Sequence, residues 1–278
     1  MVNEKYHGLG TAPSVIRELF AYGLQQAKVV GKENVFDYSL GNPSIPAPAK
    51  VNETIKKLID TTDSIQLHGY SMAPGFENVR QAIADNLNAR FNCNAKASEL
   101  FMTCGCAPAL VSVAHALTTS PEDEFIAIAP FFPEYNVFFT CAGAKLAVVP
   151  ADTVHFQIDM DALEKTINEH SVAVVINSPN NPSGVVYTEE TLKKIAELLE
   201  RKSKEYGHPI YIVADEPYRE LVYDGVKVTF IPNVYDNTIV CYSWSKSLSL
   251  PGERIGYVYV PEKCADAKAV YDTVSGAA

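Results

Sequence analysis

The stretch Ser243-Trp-Ser-Lys246-Ser-Leu-Ser-Leu-Pro-Gly-Glu-Arg254 joins four hydroxyls, an amine and a guanidinium within one short segment that follows an apolar, strand-like run. A lysine leaving a sheet at its carboxyl edge can form an imine with an aldehyde, provided that desolvation or nearby positive charge releases its proton. Taken alone, Lys246 reads as an ordinary surface lysine, so its company decides. A second apolar run ends in Asp215-Glu-Pro-Tyr218. A buried carboxylate there would keep a heteroaromatic nitrogen protonated and make the ring an electron sink, and Tyr218 can donate to a ring oxygen; standing alone, Asp215 reads as a helix cap or loop carboxylate. A third segment, Thr103-Cys-Gly105-Cys106-Ala107, has a strand end, a glycine turn and a helix start. The backbone N–H groups of such a start favour a phosphate. A fourth, Asn177-Ser-Pro-Asn-Asn181-Pro-Ser-Gly184, follows another apolar run. An Asn side chain there can donate to a ring oxygen, although the dipeptides are also ordinary turn chemistry.

The elements that must position these groups follow from periodicity. Short Val- and Ile-rich runs begin at Leu100, Phe125, Leu146, Val172, Ile210 and Thr238, the pattern of strands buried on both faces. Helical patterns cover 13–30, 77–91, 109–117, 160–168 and 188–205, and those that stand between strand runs are long enough for parallel crossovers. The expected fold is α/β: a mostly parallel sheet sandwiched by helices. One antiparallel strand is expected at Ile255-Gly-Tyr-Val-Tyr-Val, because the gap before it is too short for a crossover helix. Residues 1–45 read as an N-terminal segment belonging to a small domain, and 46–278 as the large domain.

The chain has 278 residues, 47% hydrophobic, enough for one large core. A formal charge of −10 opposes nucleic acid and anionic membranes. The six cysteines stand without paired metal-ligand spacing or the density of a secreted disulfide scaffold. No metal is expected, and a cytoplasmic location fits. The start of the chain has no leader pattern, and no stretch is long enough to cross a bilayer.

Together the four segments resemble the class I and II aminotransferases, fold-type I enzymes that use pyridoxal 5′-phosphate. The serine-x-serine-lysine motif with its later arginine is matched by Ser243, Ser245, Lys246 and Arg254; the aspartate-x-x-tyrosine motif by Asp215 and Tyr218; the asparagine-proline-x-glycine motif by Asn181, Pro182 and Gly184. The resemblance implies that Lys246 carries the cofactor and moves the substrate proton. It implies that Ser243, Ser245, Arg254 and the backbone of Gly105, Cys106 and Ala107 hold the phosphate. Phe132 would stack on the ring, for which a core aromatic is the plain alternative. Asn181 would reach both cofactor and substrate, and Gly41 would lie where the substrate carboxylate docks. Tyr70 would reach the phosphate of a partner subunit, making a homodimer.

The resemblance implies transamination between an L-amino acid and a 2-oxo acid. The same cofactor residues also serve carbon–sulfur β-lyases and cyclopropane-forming synthases. A non-catalytic cofactor-sensing module and a truncated remnant are readings from other classes. The family continues on the order of a hundred residues beyond this chain, about the size of a small domain, and that part carries an arginine for the α-carboxylate. The expectation is therefore of a large domain without its C-terminal small domain, ending in a helix that starts near Glu262. Aspartate, alanine and aromatic donors all remain open.

Overall fold

The computed structural model describes residues 1–278, which divide into two compact units, Met1–Ile45 and Pro46–Ala278. The first holds helices α1 (Glu4–Thr11) and α2 (Val15–Val30). Ser14 caps α2 by accepting from the Arg17 N–H, and Gly31 ends it at φ +89°.

The second unit is built on a seven-stranded sheet: β1 (Leu100–Thr103), β2 (Glu124–Ile128), β3 (Lys145–Val149), β4 (Ser171–Asn177), β5 (Tyr211–Asp215), β6 (Thr238–Ser243) and β7 (Gly256–Tyr259). Their order across the sheet is β1-β7-β6-β5-β4-β2-β3. Only β7 runs antiparallel, pairing Gly256 with both Thr103 and Ser243. Six strands therefore end at the same edge. The helices are α3 (Ala49–Thr61), α4 (Ser64–His68), α5 (Glu77–Phe91), α6 (Cys106–Leu117), α7 (Tyr135–Cys141), α8 (Met160–Thr166), α9 (Glu189–Tyr206) and α10 (Ala267–Ala277).

Strand alternation sorts the core into two layers. Phe125, Ala127, Ala173, Val175, Val213, Ile239 and Val258 meet α6, α7 and α10 on one face. Ile126, Ile128, Val174, Ile176, Ile212, Val240 and Tyr257 meet α5, α8 and α9 on the other. Burial on both faces explains why β2, β4, β5 and β6 read as unbroken apolar runs, whereas β3, expected to be buried likewise, is an edge strand that leaves Val148 exposed. Helix α9 shows the local logic. Thr188 accepts from the Thr191 N–H, Leu192, Ile195, Ala196 and Leu199 face the sheet, and Gly207 closes the helix in the left-handed region. Each Leu or Ile so buried contributes roughly 1.5–3 kcal/mol.

The expected α/β sandwich and its antiparallel strand are both present. Several helix limits differ. Helix α6 begins at Cys106, earlier than the expected 109, because Gly105 at φ +105° turns the chain directly into it. The last helix begins at Ala267 rather than near Glu262, since Pro261 opens a turn closed by the Cys264 N–H and Asp266 sits at φ +52°. Helices α1, α3, α4 and α7 were not anticipated. The Tyr-Asn-Val-Phe-Phe run of α7 lacks a clean apolar stripe, and α3 buries none of its residues in this chain.

Candidate active site

The carboxyl edge of the sheet forms a cleft of about 200 Å³ lined by Cys106, Ala107, Phe132, Asn181, Asp215, Tyr218, Ser243, Ser245, Lys246 and Arg254, with Asn177 and Pro251 beside them. Segments separated by up to about 150 residues in sequence thus converge because their strands are neighbours: Asn177 pairs with Asp215, and Asp215 with Cys241. A crevice outside the carboxyl ends of a mostly parallel sheet is the usual ligand site of such folds.

At one end of the cleft the chain makes the turn Gly105-Cys106-Ala107. The N-cap Gly105 offers no side-chain acceptor, so the first N–H groups of α6 are left for another acceptor. A Cβ on Gly105 would stand 2.7 Å from Arg254 Nη2, so the guanidinium abuts this turn. Arg254 itself adopts φ +54°, a strained value for a side chain of its size, and donates to the Pro251 carbonyl at 3.1 Å. Ser243 donates to Ser245 at 3.2 Å beside it. Two hydroxyls, a guanidinium and a helix N-terminus form a donor set that suits a phosphate dianion.

Asp215 ends β5 and is buried. Cys106 donates to its Oδ1 at 2.9 Å, Tyr135 donates to its Oδ2, and Asn177 Nδ2 donates to its carbonyl at 2.8 Å. Burial pushes the Asp215 carboxyl above its ordinary value, and the thiol and phenol hydrogen bonds oppose that. Both donors are neutral, so a cationic ring nitrogen would supply the missing charge partner. Asn181 is held by its own N–H donating to Asn177 Oδ1 at 2.6 Å, and its side chain donates to the Tyr218 hydroxyl at 3.2 Å. Burial raises Tyr218 to about 12, so the phenol keeps its proton. Lys246 lies in the same cleft, and burial holds its ammonium below the ordinary lysine value. Phe132, half-buried in the cleft wall, packs edge-on against Tyr135 with ring centroids 5.8 Å apart.

Most of the residues singled out in the sequence therefore meet in one cleft. Tyr70 does not line it: it stands fully exposed between α4 and α5. Gly41 belongs to the first unit. Sequence reasoning overlooked the side-chain work of Cys106, Tyr135 and Asn177. The last residue of β4 was a weak signal for Asn177. Nothing local pointed to the Cys106 thiol, because its partner is far away in the chain.

The family profile described as aminotransferase class I and II matches residues 33–275, and the chain belongs to that family. It is 32% identical over 253 residues to the probable N-acetyl-LL-diaminopimelate aminotransferase of Bacillus subtilis, an alignment covering 90% of this chain and 61% of that protein. Over 234 residues it is 28% identical to an aspartate aminotransferase of Sulfurisphaera tokodaii, covering 82% of this chain and 56% of that one. The crystal structure of an amino transferase from Eubacterium rectale matches with a TM-score of 0.97 and 60% identity, over 100% of this chain and 70% of that chain. The chain thus spans about 61% of the length of the first of these relatives. The family is pyridoxal-phosphate-dependent, and the donor set, the buried carboxylate and the lysine fit that cofactor.

Proposed function

We propose that this chain provides the cofactor-binding domain of a pyridoxal-phosphate-dependent aminotransferase that moves an amino group between an L-amino acid and a 2-oxo acid. The observation that carries this reading is the single cleft joining Lys246, with its lowered proton affinity, to the buried carboxylate of Asp215.

Bound there, pyridoxal phosphate supplies an aldehyde carbon that bonds amines and a pyridinium ring that withdraws electrons. Arg254, Ser243, Ser245 and the N–H groups of Gly105, Cys106 and Ala107 hold the phosphate. Phe132 covers one ring face. Asp215 keeps the proton on the ring nitrogen, and the neutral donors on its oxygens leave its charge free to do so. Because the Tyr218 oxygen accepts from Asn181, its own O–H is free to donate to the ring oxygen, where Asn181 is also at hand. Lys246 would anchor the cofactor and, with its amine free, hold and move the substrate proton at Nζ. Its lowered proton affinity suits both tasks.

Gly41 and Asn181 are the candidates for substrate binding, each by its match to the family's motifs. Tyr70 serves a second subunit, in keeping with its full exposure, so the working unit is a homodimer. Residues 1–45 contribute to a small domain and 46–278 form the large one, a division that follows the two compact units. All six cysteines are free thiols, which fits a cytoplasmic enzyme. No helix is long and apolar enough to cross a membrane.

Titrating the chain with pyridoxal phosphate should produce visible absorbance that Lys246→Ala abolishes. An unchanged spectrum in that variant rejects the assignment. Incubation with amino acids and 2-oxoglutarate should then yield glutamate. Pyruvate and ammonia instead would indicate a β-lyase.

A further inference from the structure

The side chain of Cys106 has work that the phosphate turn does not account for. Cys106 is the first residue of α6, with its backbone in the turn beside Arg254, yet its Sγ lies 2.9 Å from Asp215 Oδ1. Tyr135, the first residue of α7, donates to the other oxygen. The carboxylate therefore has one donor on each oxygen, each from the start of a different helix, while Asn177 fixes the backbone behind it. Such a two-point clamp holds the carboxylate plane in one rotamer and leaves the remaining lone pairs facing the cleft.

We infer that the Cys106 thiol is a positioning residue for Asp215, acting through that carboxylate to set cofactor affinity and its lower pH limit. The inference rests on the functional reading above. Other groups facing Asp215 are Tyr135 from α7, Cys241 from β6, Glu216 and Tyr218 from the segment at the end of β5, and Lys246 across the cleft. Among these, Cys106 and Tyr135 hydrogen-bond to the carboxylate oxygens. The thiol is a donor rather than a repelling thiolate, because burial and the adjacent carboxylate push it well above its ordinary value. A hydrogen bond to the ionised form favours ionisation, so losing this one raises the pH at which Asp215 takes up a proton and releases the ring nitrogen.

The test is spectral titration of the wild-type chain, Cys106→Ala and Cys106→Ser with pyridoxal phosphate across pH. Cys106→Ala should weaken binding roughly tenfold, as expected for one lost hydrogen bond to a charged group. Its acid midpoint for loss of cofactor should also move upward. Cys106→Ser, which keeps a donor of similar size, should restore both. A merely space-filling thiol would lower thermal stability in the Ala variant while leaving the acid midpoint in place. A Cys106→Ala chain with unchanged affinity and midpoint, or a Ser variant no better than Ala, overturns this inference alone. A wild-type chain that binds no cofactor overturns the functional reading and this inference with it.

Discussion

Gly256 opens β7 between β6 and β1, and its substitution by Ala tests whether the Gly105 turn is held by backbone packing. A Cβ there would stand 2.5 Å from the Tyr242 carbonyl oxygen, 2.8 Å from the Gly105 carbonyl carbon and 2.9 Å from the Gly105 Cα. All three are backbone atoms, and no side chain can rotate away to relieve the contact. Gly256 does not require the left-handed region, so the cost is steric alone. To regain ordinary contact the Gly105 turn must retreat by about 0.5 Å or β7 must shift against β6, and overpacking of this kind costs about 1–3 kcal/mol. For a chain of this size that corresponds to a fall in Tm on the order of 2–10 °C. If the turn holds phosphate as proposed, a displacement of about 0.5 Å also forfeits part of that charge-assisted hydrogen bonding. One such bond amounts to about 1.5–3 kcal/mol, or roughly ten- to hundredfold in cofactor Kd. Calorimetry and spectral titration with pyridoxal phosphate measure both effects. Gly252→Ala is the control, since nothing lies within 4 Å of its Cβ position. If Gly256→Ala matched this control in Tm and cofactor affinity, the packing argument would be refuted.

Other outcomes follow from the charged groups. Burial pushes Glu216 from 4.5 to about 7 despite its 2.7 Å ion pair with Arg219. A carboxyl raised in the folded state contributes stability that is complete below about 4.5 and is lost as pH rises through about 7. Glu216→Gln removes that loss, so its stability relative to wild type should improve between pH 5 and 8 by up to about 3 kcal/mol. Urea denaturation at the two pH values checks this, and a gap that is constant or opposite in sign contradicts it. Because burial lowers the proton affinity of Lys246 from its ordinary 10.5, the rate of cofactor capture should rise with pH and level off below that value. Stopped-flow absorbance will show this, and a rate still climbing at pH 10.5 would deny that the lysine is desolvated. Arg254→Ala should weaken cofactor binding at least tenfold by removing the guanidinium beside the proposed phosphate turn at Gly105, as measured by equilibrium dialysis.

The strand runs were legible in the residues themselves, whereas Lys246 stood out only through its resemblance to the family motif. Val- and Ile-rich runs buried on both faces admit little but parallel strands, and the short gap from Ser243 to Gly256 leaves room only for an antiparallel return. The spacing of Ser243, Ser245, Lys246 and Arg254 carries the family resemblance because it is local, whereas one glycine at 105 is a weak phosphate signal on its own. The tertiary structure alone decided what surrounds Asp215. Cys106 and Tyr135 meet it from helices distant in the chain, and no periodicity reports a hydrogen bond between residues separated by 109 positions. Helix α7, carrying Tyr135, was itself illegible because its aromatic run follows packing against Phe125 rather than an amphipathic stripe. The same holds for Gly256, an unremarkable strand glycine until the fold brings the Gly105 backbone against it. Local chemistry can be read from spacing, whereas the proton affinity of a buried carboxylate depends on neighbours that only the strand order brings together.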